Sequence, residues 1–204
     1  MLGPGQGRPL AAGRRFMRGG SYGDVRPGAW QLGRQCGLAG TGAKAAQGGH
    51  EVYVPTLTGT GERKQLLSRE IDLDTHIQDV IGVIEDEDLC DIVLVGHSYG
   101  GMVINGIADR VSEEVASLVY LDAFLPENGQ SLFSVLPPDR RLVTVPGEDW
   151  LVAPITSAGF GLKRPEVIAL WEGKSTPHPL ATLTQPVQLT GGVGRIKQKM
   201  YPGH

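Results

Sequence analysis

Short apolar runs alternate with amphipathic segments over the middle of the chain. Runs at 52–54, 92–95 and 115–121 predict three buried strands, because they are short and rich in β-branched residues. The stretches between them, near 75–84 and 100–110, carry apolar residues at helical spacing and predict two helices. Strands that alternate with helices are typical of a parallel sheet flanked by helices. The pattern therefore predicts an α/β fold.

The first predicted helix opens in the segment that begins at Asp72. Thr75 and Gln78 have the spacing of a capping box, which predicts an N-cap at Thr75. His76 lies beside that N-cap, and we interpret it as a histidine at the surface or packed against the N-cap, rather than a catalytic one. The acidic run 85–88 is interpreted as a solvated helix end.

The strand at 92–95 runs directly into Gly96-His97-Ser98-Tyr99-Gly100, and a helix follows at once. A G-x-S-x-G motif between a strand and a helix predicts a nucleophile elbow. We expect Ser98 to have a strained backbone, with its Oγ lifted clear of the sheet, and side chains at Gly96 and Gly100 to collide with neighbouring segments. The Tyr99 N–H would face a developing oxyanion. The alternative is a structural serine in an ordinary strand-to-helix turn.

The α/β alternation stops after residue 127. Prolines, two tryptophans and short apolar clusters over 128–192 predict an inserted, mostly helical cap above the carboxyl edge of the sheet. Such a cap would cover Ser98, exclude water and shape an acyl pocket. Trp150 is a candidate for lining that pocket, with packing inside the cap as the alternative. Residues 193–204 predict the start of one more core strand.

The first 50 residues differ in composition from the rest. They hold 14 of the 30 glycines and seven Lys or Arg residues against a single acid, Asp24, without lasting apolar periodicity. Residues 1–47 therefore predict a disordered basic arm, and the core is predicted to occupy 48–127.

Composition narrows the choice of partner and compartment. The chain has 204 residues and a net charge of −3, which gives no indication of a nucleic-acid partner. No run reaches the roughly 18 apolar residues of a membrane span. Cys36 and Cys90 show neither metal-ligand spacing nor a disulfide framework, so we expect a cytoplasmic protein. No metal or organic cofactor is implied.

Several motifs, in order, resemble the α/β-hydrolase superfamily over about residues 48–200. The resemblance is to the branch of plant methylesterases and hydroxynitrile lyases, in its bacterial esterase-like form. It rests on 50–63, with Thr-Leu-Thr-Gly-Thr-Gly-Glu-Arg, on Asp-Leu-Asp-Thr-His-Ile at 72–77, on Gly-His-Ser-Tyr-Gly-Gly at 96–101 and on Leu-Asp-Ala-Phe-Leu-Pro at 121–126. Two stretches, 176–180 and 184–186, resemble the return from cap to core.

This resemblance implies hydrolysis of a small carboxylic ester through an acyl-serine intermediate. Ser98 would attack the ester carbonyl and the Tyr99 amide would hold the oxyanion. Three alternatives stay open: a hydroxynitrile lyase-like enzyme, a non-catalytic ligand-binding member of the fold, and an inert fragment. The expected partner is a small ester, with neither nucleic acid nor membrane, and with homodimerisation or self-association possible.

The chain departs from the family pattern at both ends. The family's His-Gly-x-Trp turn, which supplies a second oxyanion N–H, is represented only by Pro-Gly-Ala-Trp at 27–30. The family's catalytic Asp and His would follow strands beyond His204. We expect Asp122 and the histidines at 97, 178 and 204 not to replace them, and therefore little or no esterase activity and a tendency to self-associate.

A shifted reading frame would explain the unusual N-terminal segment. Read one nucleotide later from the codon of Tyr22, codons that can encode 22–30 also permit Met-Ala-Thr-Phe-Val-Leu-Val-His-Gly. That sequence has a start, an apolar strand and the His-Gly turn. The hypothesis predicts that residues 1–47 are poorly ordered and do not supply a strand of the sheet. The coding DNA tests it directly.

Overall fold

The computed structural model describes residues 15–18, 52–137, 143–172 and 175–202. Within these ranges a five-stranded parallel sheet has the order β2-β1-β3-β4-β8. The strands are β1 (Arg15–Arg18), β2 (Val52–Tyr53), β3 (Ile92–Ser98), β4 (Val115–Ala123) and β8 (Gln198–Met200). The predicted α/β fold with a parallel sheet is confirmed, and β8 falls in the segment for which a further strand was predicted.

Two helices pack against one face of this sheet. They are α1 (Leu73–Asp86) and α2 (Gly100–Arg110), and their apolar stripes share a core with Ile92 and Leu94 of β3. The alternate residues Val93 and Val95 lie on the opposite face, where they pack with residues of β4. This is the alternation expected of a strand that is buried on both faces.

The start of α1 differs from the sequence prediction. Its N-cap is Asp72 and not Thr75: Asp72 Oδ1 accepts from Thr75 N–H at 2.8 Å, and Thr75 Oγ1 accepts from Asp72 N–H at 3.3 Å. Thr75 is thus the second half of the capping box instead of the first, since a threonine hydroxyl can serve at either position. The helix ends at Asp86, and residues 85–88 are exposed as predicted.

Strand β1 corrects the prediction for the N-terminal segment. Arg15–Arg18 lies inside the sheet, paired in parallel with β2 on one side and with β3 on the other. The sequence prediction required a long apolar run, whereas the ladder is made by backbone groups and four residues are enough for it. The expectation that residues 1–47 supply no strand is therefore wrong at this position. The rest of that expectation lies outside the described residues.

The segment after β4, predicted as a mostly helical cap, contains short helices and also a small sheet that was not predicted. It contains a three-stranded antiparallel sheet of order β5-β6-β7 in addition to short helices. Its elements are α3 (Leu132–Val135), β5 (Thr144–Val145), β6 (Glu148–Val152), α4 (Pro165–Glu172), β7 (His178–Pro179) and α5 (Leu180–Thr184). Strands β5 and β7 have only two residues each, too few for an alternating pattern to show in the sequence.

In the described ranges, every helix falls short of the length and hydropathy that crossing a membrane would take.

Candidate active site

The elbow forms where β3 meets α2. Ser98 is the last residue of β3 and has φ +49°, in the left-handed region that costs an L-residue about 1–2 kcal/mol. Its carbonyl accepts a hydrogen bond from Phe124 N–H at 3.0 Å, which ties the turn to the chain leaving β4. The predicted strained conformation at Ser98 is confirmed. Its side chain is half-buried and lies at the carboxyl edge of the parallel sheet.

Glycines make this turn possible because the backbone segments approach too closely for a side chain. A Cβ at Gly96 would lie 2.6 Å from the carbonyl oxygen of Gly100. A Cβ at Gly101 would overlap the backbone of Phe124. The collision at Gly96 was predicted, whereas the requirement at Gly101 was missed. The sequence did contain a signal for Gly101. The G-x-S-x-G motif needs only Gly100 after the serine, so a second glycine directly after it pointed to a further requirement.

Tyr99 follows the nucleophile position and is the N-cap of α2, with φ −51° and ψ −31°. The N–H groups at the start of a helix have no intrahelical partner, so the Tyr99 amide is free of the helix ladder. Its side chain is 2% exposed and turns into the core. Burial raises the pKa of Tyr99 far above its usual value, so the phenol stays protonated and acts as a donor.

His76 lies beneath the elbow and is buried, so the interpretation as a surface histidine is wrong. It is 0% exposed; its Nδ1 lies 3.0 Å from Tyr99 Oη and its Nε2 lies 3.0 Å from the Thr58 carbonyl oxygen. The position could have been found from the sequence, because 76 falls on the apolar stripe of α1 together with Leu73, Ile77 and Val80.

The other histidines and Asp122 are placed as follows. His97 is buried in β3 opposite Leu121, and strand alternation points it to the other face from Gly96. His178 is buried in β7, with its ring centroid 5.3 Å from that of Tyr99. Asp122 is the residue before the last of β4, with φ +46°, and precedes Ala123, the register partner of Ser98. His204 lies outside the described residues.

Ser98 has no side-chain hydrogen bond to any residue of the described ranges. None of the histidines at 76, 97 and 178 therefore stands as its base in this structure. A serine without a base remains a neutral hydroxyl and a weak nucleophile. The roles of Ser98 and of the Tyr99 amide stay predictions, carried by geometry.

Trp150 lies on β6 and is half-buried. Its indole Nε1 donates to Glu148 Oε2 at 2.6 Å, and the Arg69 guanidinium lies 5.3 Å from its ring centroid. Arg69 also forms an ion pair with Asp149 at 2.9 Å, so these contacts join the cap to the loop before α1. That Trp150 lines an acyl pocket stays a prediction.

The described residues contain no cluster of three or more His, Cys, Asp or Glu side chains suited to a metal ion. They do contain a polar cleft of about 310 Å³ between the end of α2 and residues 190–195, lined by Asp109, Arg110 and Glu113 among others. It lies at the opposite end of α2 from Ser98, and we assign it no part in the chemistry.

Comparison with known proteins places this geometry in a family. A carbendazim hydrolyzing esterase of Nocardioides sp. (strain SG-4G) is 42% identical over 189 residues, which cover 85% of this chain and 76% of that protein. Methylesterase 8 of Arabidopsis thaliana is 33% identical over 60 residues, 29% of this chain and 21% of that protein.

A solved structure has the same fold. It is an extracellular alpha/beta-hydrolase from a Paenibacillus species, described as sharing structural and functional homology with tobacco salicylic acid binding protein 2. It superposes with a TM-score of 0.69 at 22% identity, over 92% of this chain and 76% of that one. The sequence model of the alpha/beta hydrolase family matches residues 16–195, which extends the match well before residue 48. The chain therefore belongs to the alpha/beta hydrolase family.

Proposed function

We propose that this protein hydrolyses a small carboxylic ester, with Ser98 as the nucleophile. The observation that carries the proposal is Ser98 itself, held at φ +49° between a buried parallel strand and a helix, in a chain 42% identical to an esterase. A serine in an ordinary turn has no need of that strained backbone. Strain of this kind is typical of a nucleophile elbow, where it lifts the hydroxyl towards the substrate.

The reaction follows from this placement. Ser98 Oγ forms a bond to the ester carbonyl carbon, the π electrons of the carbonyl pass to its oxygen, and the Oγ proton passes to a general base. The Tyr99 N–H donates to the resulting oxyanion. Collapse of the intermediate breaks the ester C–O bond, and the leaving alcohol takes the proton. Water then cleaves the acyl-serine to release the carboxylic acid and regenerate Ser98 Oγ–H.

The names of the relatives favour ester hydrolysis over the lyase alternative. One is called a carbendazim hydrolyzing esterase and another a methylesterase. We therefore propose methyl and other short-chain esters as the substrate class, with carbendazim as one compound to test. Trp150 is retained as a candidate for the acyl pocket, and comparison of Trp150→Ala with the unsubstituted chain on short and long acyl chains tests it.

Turnover by the 204-residue chain is proposed to be slow. In the described ranges Ser98 has no histidine partner, so the proton of Oγ has no efficient acceptor there. A serine whose hydroxyl proton has no positioned acceptor is a weak nucleophile. We expect weak hydrolysis of a short-chain aryl ester, and a burst of acylation at a rate normal for esterases would contradict this.

The experiment that tests the nucleophile does not depend on turnover. Prolonged incubation with excess alkyl fluorophosphonate forms a stable bond even to a weakly activated serine, slowly where no base assists, and intact-protein mass spectrometry detects that bond. We expect one adduct, located at Ser98, and none in Ser98→Ala. An adduct that persists in Ser98→Ala would remove Ser98 from this role. Ser117, a serine 1% exposed on β4, offers the matched control Ser117→Ala, which should label as fast as the unsubstituted chain.

The small ester is also the proposed partner, and a reducing cytoplasm the proposed compartment. The second proposal rests on cysteine usage, since Cys90 is a free and exposed thiol. Fractionation of the native host cell tests it: recovery of the protein in the periplasmic or culture fraction would contradict it.

A further inference from the structure

Tyr99, the residue after the nucleophile, is fixed at both its backbone amide and its side-chain phenol. Its amide is the proposed oxyanion donor, and its phenol is anchored in the core at the opposite end of the same side chain. Tyr99 is 2% exposed, so the ring cannot swing without unpacking the core. Whatever holds the phenol therefore also limits where the Tyr99 N–H can point.

The phenol is held by a directed chain of hydrogen bonds. The Thr58 carbonyl can only accept, so the proton on the His76 ring lies on Nε2, 3.0 Å from that oxygen. His76 Nδ1 is then an acceptor, and the Tyr99 hydroxyl donates to it at 3.0 Å. Thr58 is itself fixed, because its N–H and its hydroxyl both donate to the Asp79 carboxylate, at 2.6 and 2.8 Å. The chain thus runs from the elbow to α1.

The cap closes the third side of this cluster. The His178 ring lies edge-on to both partners, with its centroid 5.6 Å from that of His76 and 5.3 Å from that of Tyr99. Its 0% exposure means that β7 of the cap covers the buried end of the elbow. Elements α1, the elbow and β7 therefore meet at one tyrosine.

We propose that His76 is a positioning residue that aims the Tyr99 N–H at the oxyanion by fixing the Tyr99 hydroxyl, with His178 packed against both rings. The proposal rests on the proposed function, because it gives the Tyr99 amide its use. It differs from a purely structural role in one respect. Loss of the hydrogen bond should slow formation of the Ser98 adduct without weakening reversible binding of the probe.

The test is a double-mutant cycle on fluorophosphonate labelling of the full chain, with variants Tyr99→Phe, His76→Phe and both together. We measure kinact and KI separately. Each single variant should lower kinact by about ten-fold, less than complete loss of an oxyanion donor, with KI little changed. Because both substitutions remove the same hydrogen bond between Tyr99 and His76, the double variant should be no slower than the slower single variant.

The matched control is Tyr120→Phe. Tyr120 is another buried tyrosine, 2% exposed, whose hydroxyl donates to Asn105 Oδ1 at 3.2 Å. The Tyr120→Phe variant should lose stability as Tyr99→Phe does, but its kinact should equal that of the unsubstituted chain. Equal kinact in all variants, or an equal fall in Tyr120→Phe, overturns the inference. Additive falls in the double variant overturn it as well.

Two further outcomes have a fixed interpretation. If circular dichroism shows that His76→Phe is unfolded, the comparison of Tyr99→Phe with Tyr120→Phe decides alone. If the unsubstituted chain forms no adduct at Ser98, the proposed function fails, and this inference fails with it. Labelling of the unsubstituted chain with unchanged kinact in Tyr99→Phe overturns only the inference about His76.

Discussion

At the scale of single residues, close backbone approach explains more of the elbow than hydrogen bonding does. The left-handed Ser98 is retained because Gly96 and Gly101 let β3, α2 and the chain after β4 meet without side chains between them. The motif indicated Ser98, Gly96 and the strain. The motif ends at Gly100 and does not include Gly101. The doubled glycine was a signal, but the segment that requires it, at Phe124, lies 23 residues away in the sequence.

Gly101→Ala is expected to damage the elbow, since its methyl group would overlap the backbone of Phe124. We predict a loss of about 3 kcal/mol or more in the free energy of unfolding, together with loss of Ser98 labelling. Gly82→Ala is the matched control, because a Cβ there meets nothing within 4 Å in the middle of α1. It should instead stabilise the protein by about 0.5–1 kcal/mol. Urea unfolding of both variants checks this, and equal effects of the same sign would contradict it.

The buried His76 makes stability depend on pH. Burial lowers the pKa of His76 to about 4, against the opposing effects of the Thr58 carbonyl and Asp79. An unfolded histidine has a pKa of about 6.5. Between these values the unfolded chain binds a proton that the folded chain does not, so stability is lost as the pH falls through this window.

We predict that the free energy of unfolding falls by about 3 kcal/mol from His76 between about pH 6.5 and pH 4. The groups that face this ring are Asp72, Asp79 and Arg63 from the adjoining loop and helix, and His178 from the cap. Burial, with the neighbouring His76, also lowers the pKa of His178, which acts in the same direction. Urea unfolding at several pH values measures the slope. His76→Phe should reduce it, and an unchanged slope in that variant would refute the assignment.

At the scale of elements, one carboxylate at the end of α2 holds the chain that returns to the sheet. Asp109 accepts from the N–H groups of Thr190 at 2.6 Å, Gly191 at 3.0 Å and Gly192 at 2.7 Å. Burial alone would raise the pKa of Asp109, but hydrogen bonds from Thr190, Val193 and Gly192 outweigh it and the pKa lies below its usual value. The segment that Asp109 holds continues directly into β8.

Asp109→Asn should destabilise the protein by about 2–3 kcal/mol at neutral pH, because several N–H groups lose a charged acceptor. With the folded pKa depressed, this stability is present above the unfolded pKa of about 3.9 and is lost as the pH falls through the lower folded pKa. The difference between Asp109→Asn and the unsubstituted chain should therefore shrink only in strong acid. Thermal unfolding measures it, with Asp86→Asn at the exposed end of α1 as the control. A difference that vanishes already at about pH 5 would contradict the account.

The elements that could be predicted from the sequence are those with their own periodic pattern. Strands β3 and β4 and helices α1 and α2 each carry enough apolar residues for a period to show. Strand β1 and the cap strands were missed, because backbone pairing with distant segments determines them and no local pattern does. The burial of His76 could be read from its place on the apolar stripe of α1, but its partners could not, because Thr58 and Tyr99 come from other elements.

At the scale of the whole molecule, the sheet presents an apolar margin at β8. This strand is the outermost of the described order on its side. Its last residue, Met200, is 51% exposed, and Tyr201, which follows it, is 43% exposed. Exposed strand edges that carry apolar side chains pair with other chains. We predict concentration-dependent self-association, seen by sedimentation velocity and reduced in Met200→Lys. Leu66→Lys, at a similarly exposed site away from the sheet, should leave it unchanged. A monomer at all concentrations would contradict the prediction.

The central claim is that the strained Ser98 is the nucleophile of an ester hydrolase. The most direct measurement is intact-protein mass spectrometry after fluorophosphonate treatment, with the modified peptide sequenced, for the unsubstituted chain, Ser98→Ala and Ser117→Ala. The account predicts one adduct at Ser98 in the first and third proteins and none in the second. An adduct at another residue, or equal labelling of Ser98→Ala, would contradict it.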